Sequence, residues 1–284
     1  MKLYPDSDYI YLAKIVDIKA VWSRELPAIP SSVTIIKDSA DRYFVSFVVE
    51  FNPQQFPKKK PSVGIDLGIT NFAILSNGEK VKSPKPLKKQ LKRLRKLQHH
   101  LSIKQKGSKR REVARKKLAK LHAKISDTRN DFSHKLSTNK IIRENQTIVW
   151  EDLKVSGMMK NSRLSRAISD LGWRSVRTML EAKSVMYGRD FRVIDRWTPT
   201  SQTGSHCGFH GGKKELNIRE WIGLNCGTSH DRDVNAAINI KVAGGQSETL
   251  NGRGGRRKTT AKVAVAIVGV GAACGAATEP ARSA

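Results

Sequence analysis

The chain has 284 residues, 53 Lys and Arg against 25 Asp and Glu for a formal net charge of +28, and 38% hydrophobic residues. That is enough for one large domain or two small ones, and the cationic surplus favours a polyanionic partner over anionic lipid or an acidic protein. Three cysteines (Cys207, Cys226, Cys274) are too few for a disulfide framework, and the longest apolar stretch, Val263 to Ala277, falls short of the roughly 18 residues of a membrane span.

The opening MKLYPDSDYIYL lacks the apolar core of a signal peptide, so a cytoplasmic protein is expected. Residues 31–51 read as two strands rich in β-branched and aromatic side chains around a polar turn at Asp38 to Asp41. FNPQQFPKKKP follows as a linker, and Val63 to Ile69 then reads as a buried strand carrying Asp66, with a hairpin signal at Asn77-Gly78. Residues 87–125 show helical periodicity: Leu87, Leu91, Leu94, Leu97 and Leu101 form one stripe and Ala114, Leu118, Leu121 and Ile125 another, with a break at Gly107-Ser108.

That helical hairpin carries Lys88, Lys89, Lys92, Arg93, Arg95 and Lys96 on one arm and Lys109, Arg110, Arg111, Arg115, Lys116, Lys117, Lys120 and Lys124 on the other. A face built for solubility mixes signs to form i,i+4 pairs; here Glu112 is the one acid among them, which favours nucleic-acid backbone binding. Further on, Thr147 to Trp150 reads as a strand delivering Glu151, residues 161–187 as one helix, and 191–197 as a strand. The alternation predicts an α/β core. Beyond Gly244 lies a Gly- and Arg-rich, then small-residue, tail.

Asp66, Glu151 and Asp233 each sit at or beside an apolar run. Two or three such acids suffice for Mg²⁺, and two metals about 4 Å apart can activate water and neutralise the leaving oxygen of a phosphodiester. Taken singly the acids have blander readings. Asp66 suits a phosphate-binding strand of the actin-type ATPases, Glu151 can end a strand, and Asp231 or Asp233 can cap a helix starting near Asn235.

Together, VGIDLGITNFAILSNGEKV, the basic hairpin, IVWEDLKVSGM and CGTSHDRDVNAAINI make the chain similar, over roughly residues 30–245, to the TnpB (OrfB-type) proteins of bacterial insertion sequences, relatives of the type V CRISPR effectors. The resemblance implies a RuvC-like core of the ribonuclease H fold and Mg²⁺-dependent cleavage of DNA directed by a guide RNA from the same element. Carried over, the catalytic and Mg²⁺-binding acids are Asp66, Glu151 and Asp233, with Asp231 the less favoured partner. The implied division is a β-rich wedge-like remnant at 1–60, the nuclease core at 61–245 with a basic helical insertion at 84–145 and a zinc-ribbon-like insertion at 198–232, and a low-complexity tail at 246–284.

Two departures from the family stand out. Its members carry four zinc-binding cysteines in two Cys-x-x-Cys knuckles, whereas Gly204 and Gly223 occupy the first position of each and only Cys207 and Cys226 remain. Four ligands close a structural zinc site, so the expectation is a ribbon without zinc. With His206, His210 and His230 nearby, the alternative is a two-Cys, two-His set that pairs Cys207 with His210 and Cys226 with His230. Fewer residues also precede Asp66 than the family carries. The competing functional readings are a binding protein or regulator that does not cleave, and a stand-alone junction resolvase.

Overall fold

The computed structural model describes residues 2–3, 9–12, 16–23, 25–215 and 217–250. It divides into two compact units. The first holds the described residues up to Asn52 together with 97–123, the second residues 53–96 and those described from Lys124 onward. Among the described residues no helix is long and apolar enough to cross a membrane.

In the first unit, β1 (Lys2–Leu3), β2 (Tyr9–Leu12) and β3 (Val16–Lys19) form an antiparallel sheet, and β4 (Ser32–Lys37) pairs with β5 (Tyr43–Val48). The polar turn expected between the last two is built by Asp38, whose carboxylate accepts the N–H of Ala40 at 2.8 Å and of Arg42 at 2.9 Å while Asp41 takes φ +64°. Ile10 and Phe47 centre its core, with Trp22 stacked on Phe47.

The second unit is organised on one sheet. β6 (Ser62–Leu67), β7 (Ala73–Leu75) and β8 (Lys80–Val81) make an antiparallel meander turned by Gly78 at φ +90°. β9 (Thr147–Glu151) and β10 (Asp190–Ile194) extend it in parallel, giving the order β10-β9-β6-β7-β8. Strand residues alternate faces. Val63, Ile65, Ile148 and Trp150 therefore join the large core of Leu136, Ile141, Ile142, Val176 and Leu180 on one face, while Val149 turns to the other, where it meets Ile240 and Ala243.

The basic segment forms α1 (Pro86–Ser102) and α2 (Lys109–Lys135), the latter running into a π-helical segment, Leu136–Ile142. Ser108 caps α2 through Arg111 N–H at 3.2 Å, and Gly107 takes φ +82° in the break between the helices. The base of α1 is seated by Asp170, 4% exposed. Its carboxylate accepts the N–H groups of Leu87 and Lys88 at 3.0 Å and faces the Arg129 guanidinium at 3.4 Å.

The single helix expected at 161–187 is instead α4 (Ser165–Leu171) and α5 (Trp173–Tyr187), preceded by a short α3 (Val155–Met158). Gly172 breaks it at φ +72°, where a Cβ would lie 2.9 Å from Arg129 Cδ. β10 also stops at Ile194 rather than 197, because Asp195 starts a turn that accepts Thr198 N–H at 3.2 Å. β11 (Glu220–Ile222) and β12 (Ser229–Asp231) pair, and α6 (Arg232–Leu250) lies across β6, β9 and β10. The tail expected from 246 is helical as far as Leu250, and its remainder lies outside the described residues.

The approach of α6 to the sheet requires two glycines. A Cβ on Gly64 would run into Ala237 O and lie 2.5 Å from Lys241 N, and one on Gly244 would meet Val149 Cγ2 at 2.5 Å. Gly64→Ala is expected to destabilise the chain by about 3 kcal/mol or more, read as a fall in the midpoint of chemical denaturation. Gly78→Ala, in open space but at positive φ, should cost about 1 kcal/mol.

Candidate active site and ribbon

The faces of β6 and β9 decide where the acids go. Ile65 and Trp150 are register partners and point into the large core, so Asp66 and Glu151, one residue further on each strand, turn to the opposite face, the one α6 covers. Asp233 lies in the first turn of α6. Three acids distant in sequence are thus delivered to one end of the sheet.

Their electrostatics agree. Burial pushes the Asp66 pKa up to about 8, helped by the charges of Glu151 and Asp233 and opposed by the Leu67 N–H and Arg232. Burial also raises the Glu151 carboxyl. Nearby like charges and lost hydration both disfavour ionisation, so as a metal-free set these acids repel one another. Among the described residues no group of three or more His, Cys, Asp or Glu side chains is placed to hold a metal ion.

Asp231 has a different task. Its Oδ1 accepts the N–H of Asp233 and Val234 at 3.0 Å, which caps α6, and its Oδ2 receives the Lys80 ammonium at 2.6 Å. Burial opposes the Asp231 carboxylate, but these partners outweigh it and hold its pKa below the ordinary range. Asp233 keeps its side chain out of the cap, with the Arg219 guanidinium 3.6 Å away. Sequence reasoning missed Lys80 and Arg219, because one lies in a short meander strand and the other in an irregular run with no spacing signal. It missed Asp152 as well, whose carboxylate takes Arg177 and Arg196, each at 2.6 Å.

The ribbon stretch repeats one turn twice. Gly204 N–H donates to Phe209 O at 2.9 Å and Gly208 N–H to Gly204 O at 2.8 Å; Gly223 N–H donates to Thr228 O and Gly227 N–H to Gly223 O, both at 2.8 Å. Gly208 and Gly227 take φ +72° and +64°. The same backbone turn is therefore present in both halves. Their vacant first positions face inward: a Cβ on Gly204 would lie 3.5 Å from His230 Nε2 and 3.8 Å from Cys207 Sγ, and one on Gly223 3.3 Å from His230 Nε2 and 2.9 Å from Cys226 Sγ.

His230 is 5% exposed and its Nε2 has no hydrogen-bond partner among the described residues. Its ring lies against Trp221 at 5.2 Å, and the Lys214 ammonium sits 4.3 Å from the centre of the Trp221 ring. Hydrogen bonds from Thr228 draw the Cys226 thiol down to about 6, with Cys207 and His230 adding to the effect. Two thiols and one imidazole fall short of a four-ligand structural zinc site.

On the basic helices, Lys88, Lys89, Lys92, Arg93, Arg95, Lys96, Lys109, Arg110, Arg115, Lys117, Lys120 and Lys124 are exposed. Arg111 and Lys116 differ. Arg111 donates to Leu101 O at 2.8 Å and Lys104 O at 2.9 Å, satisfying carbonyls at the end of α1. Lys116 pairs with Asp41 at 2.7 Å.

A family model of the IS605 OrfB type, described as a probable transposase, matches residues 46–162, and a Cas12f1-like TNB domain model matches 173–240. A Streptomyces pristinaespiralis protein provisionally named an RNA-guided DNA endonuclease is 50% identical over 234 residues, 82% of this chain and 57% of that protein. InsQ of Escherichia coli strain K12, under the same provisional name, is 30% identical over 260 residues, 86% of this chain and 64% of its own. A cryo-EM structure of a CRISPR-Cas12f ternary complex superposes with a TM-score of 0.46 at 20% identity, over 70% of this chain and 41% of that one. The chain thus spans 57% and 64% of the two curated relatives.

The raised Asp66 pKa fixes the sign of a pH effect. Between the ordinary carboxyl value of 3.8 and about 8 the folded chain binds a proton that the unfolded chain has lost, so this group costs stability progressively as pH rises through that window. The Cys226 shift acts oppositely between about 6 and 9. Comparing unchanged protein with Asp66→Asn isolates the acid: in EDTA, the variant's melting temperature should gain on the parent's steadily from pH 4 to 8.

Proposed function

The chain belongs to the TnpB (OrfB-type) family of insertion-sequence proteins, and from that premise we propose that it is a Mg²⁺-dependent DNA endonuclease with a RuvC-like core, directed by an RNA of its own element. The observation that carries the reading is the delivery of Asp66, Glu151 and Asp233 to one end of a mixed sheet, where burial, with the charges of Glu151 and Asp233 adding to it, raises the pKa of Asp66. A three-stranded antiparallel meander extended by two parallel strands supports the ribonuclease H-like assignment.

The donor chemistry fits the metal. Hard carboxylate oxygens are what Mg²⁺ takes, and Asp66, Glu151 and Asp233 are the residues that would hold it. When bound it supplies an acidified water and charge neutralisation at the leaving oxygen. The remaining work belongs to the chain. Asp66 in the metal-free state keeps its proton near neutral pH and gives it up when cationic charge arrives. Asp231, by capping α6, fixes the backbone from which Asp233 projects. Arg219 brings a positive charge beside Asp233, where an incoming phosphate needs neutralising.

The exposed cations of α1 and α2 would track the backbones of guide RNA and DNA, in the cytoplasm, where both are at hand. The ribbon is inferred to stand without zinc, on its duplicated backbone turns and the Trp221–His230 contact. Purified protein should then carry well under one zinc per chain and melt at the same temperature with and without chelator; stoichiometric zinc lost on His210→Ala would overturn this.

Plasmid cleavage by protein co-expressed with the RNA from the element's 3′ end should require Mg²⁺ and fall to background in Asp66→Ala, with RNA retention unchanged. RNA binding without cleavage by the unchanged chain would make it a nucleic-acid-binding protein on a nuclease fold. Changing Lys88, Lys89 and Lys92 together to Ala should flatten the log–log salt dependence of RNA binding by up to about 3.

A further inference from the structure

Trp197 is 83% exposed, while Trp150 and Trp173 are each 2% exposed, Trp22 stacks on Phe47 and Trp221 lies tilted against His230. A single exposed apolar side chain is ordinary. What sets this one apart is the segment that carries it. β10 lies in parallel register with β9, Ile194 opposite Glu151, and Trp197 follows three residues later. Three residues of chain span at most about 11 Å, and neighbouring strands lie about 4.8 Å apart, so the indole stays close to the acid-bearing end of the sheet.

The segment is also held from both sides. Upstream, Asp195 accepts Trp197 N–H at 2.9 Å, and Arg196 is clamped at 2.6 Å by Asp152, the residue after Glu151, whose own N–H donates to Ile194 O at 3.1 Å. Downstream, the Asn239 amide donates to Thr200 O at 2.8 Å and Thr203 O at 2.7 Å, and the Asn235 amide to Thr203 O at 2.8 Å. Both asparagines are on α6, the helix of Asp233. The turn is therefore tied to the elements bearing Glu151 and Asp233, and its large aromatic ring is nonetheless left in water.

We propose that Trp197 is a stacking platform for an unpaired base of the DNA strand entering the active site. An indole face accepts any base and gives no sequence readout, and it can engage only a base not already stacked in a duplex. A ring fixed to the acid-bearing elements would set where along the strand the scissile phosphate falls. Trp197 is a positioning residue in this scheme. The inference rests on the nuclease reading, but its test does not need cleavage.

Binding of the full chain to a fluorescent oligo(dT) is measured without metal across a salt series, for the unchanged protein, Trp197→Ala and Trp197→Tyr. Stacking predicts a roughly 5- to 150-fold weaker association for the alanine variant. Tyrosine should recover most of it, with the salt slope and the affinity for duplex DNA unchanged. Equal affinity of the alanine variant and the parent overturns the proposal. So does equal loss with alanine and tyrosine, equal loss on duplex, or a loss confined to oligo(U). A chain that binds single strands through Trp197 but never cuts keeps this inference and sinks the nuclease reading alone.

Discussion

Helix α6 reaches β6 and β9 closely enough to share their face because Gly64 and Gly244 put no side chain in the way, and the architecture of the site depends on that contact. Once it is made, the two-residue period of a strand does the rest. Positions that flank Ile65 and Trp150 cannot enter the large apolar core, so Asp66 and Glu151 turn towards the helix whose first turn holds Asp233. The cap supplied by Asp231 and its ion pair with Lys80 fix the rotation and start of that helix. A packing contact, a pleat and a cap together place the three acids, and no long loop is involved.

Charge in this protein is divided between two very different settings. The cations of α1 and α2 are mostly solvated, where each is cheap to keep and acts through the sum of many. Asp66 and Glu151, at one end of the sheet, are withdrawn from water and costly to ionise. Two carboxyls that lose hydration on folding thus sit in a chain whose other charges are mostly positive and solvated. Arg111 and Lys116 are exceptions within the positive surplus. One holds the end of a helix and the other an ion pair within the first unit.

Much of this was legible in the sequence because it rested on local chemistry. The Asn77-Gly78 turn, the Gly107-Ser108 break, the strand carrying Asp66 and the polar turn at Asp38 all follow from backbone preferences of the residues named. Less legible were features set by contacts across the fold. Gly172 sits in a stretch of helical composition, and only its φ of +72° shows that the helix breaks there. Asp170 and Asp152 look like ordinary helix and loop acids, yet one seats the base of α1 and the other clamps two arginines. Asp231 and Asp233, two residues apart with the same side chain, were ranked in the sequence by resemblance alone, and the cap gives Asp231 a physical task of its own. The cysteine count of the stretch was visible, but the repeated turn at Gly204 and Gly223 and the burial of His230 between them were not.

Gly64 and Asp66 are neighbours on one face of one strand, and they answer to opposite pressures. Any side chain at the first collides with α6, so the position is closed to change by packing alone. The second holds a carboxyl that the fold resists ionising, so its amide counterpart would leave a more robust molecule near neutral pH. Packing and ionisation therefore pull apart within two residues of one face: a side chain added at the glycine costs stability, and the acid exchanged for its amide gains it.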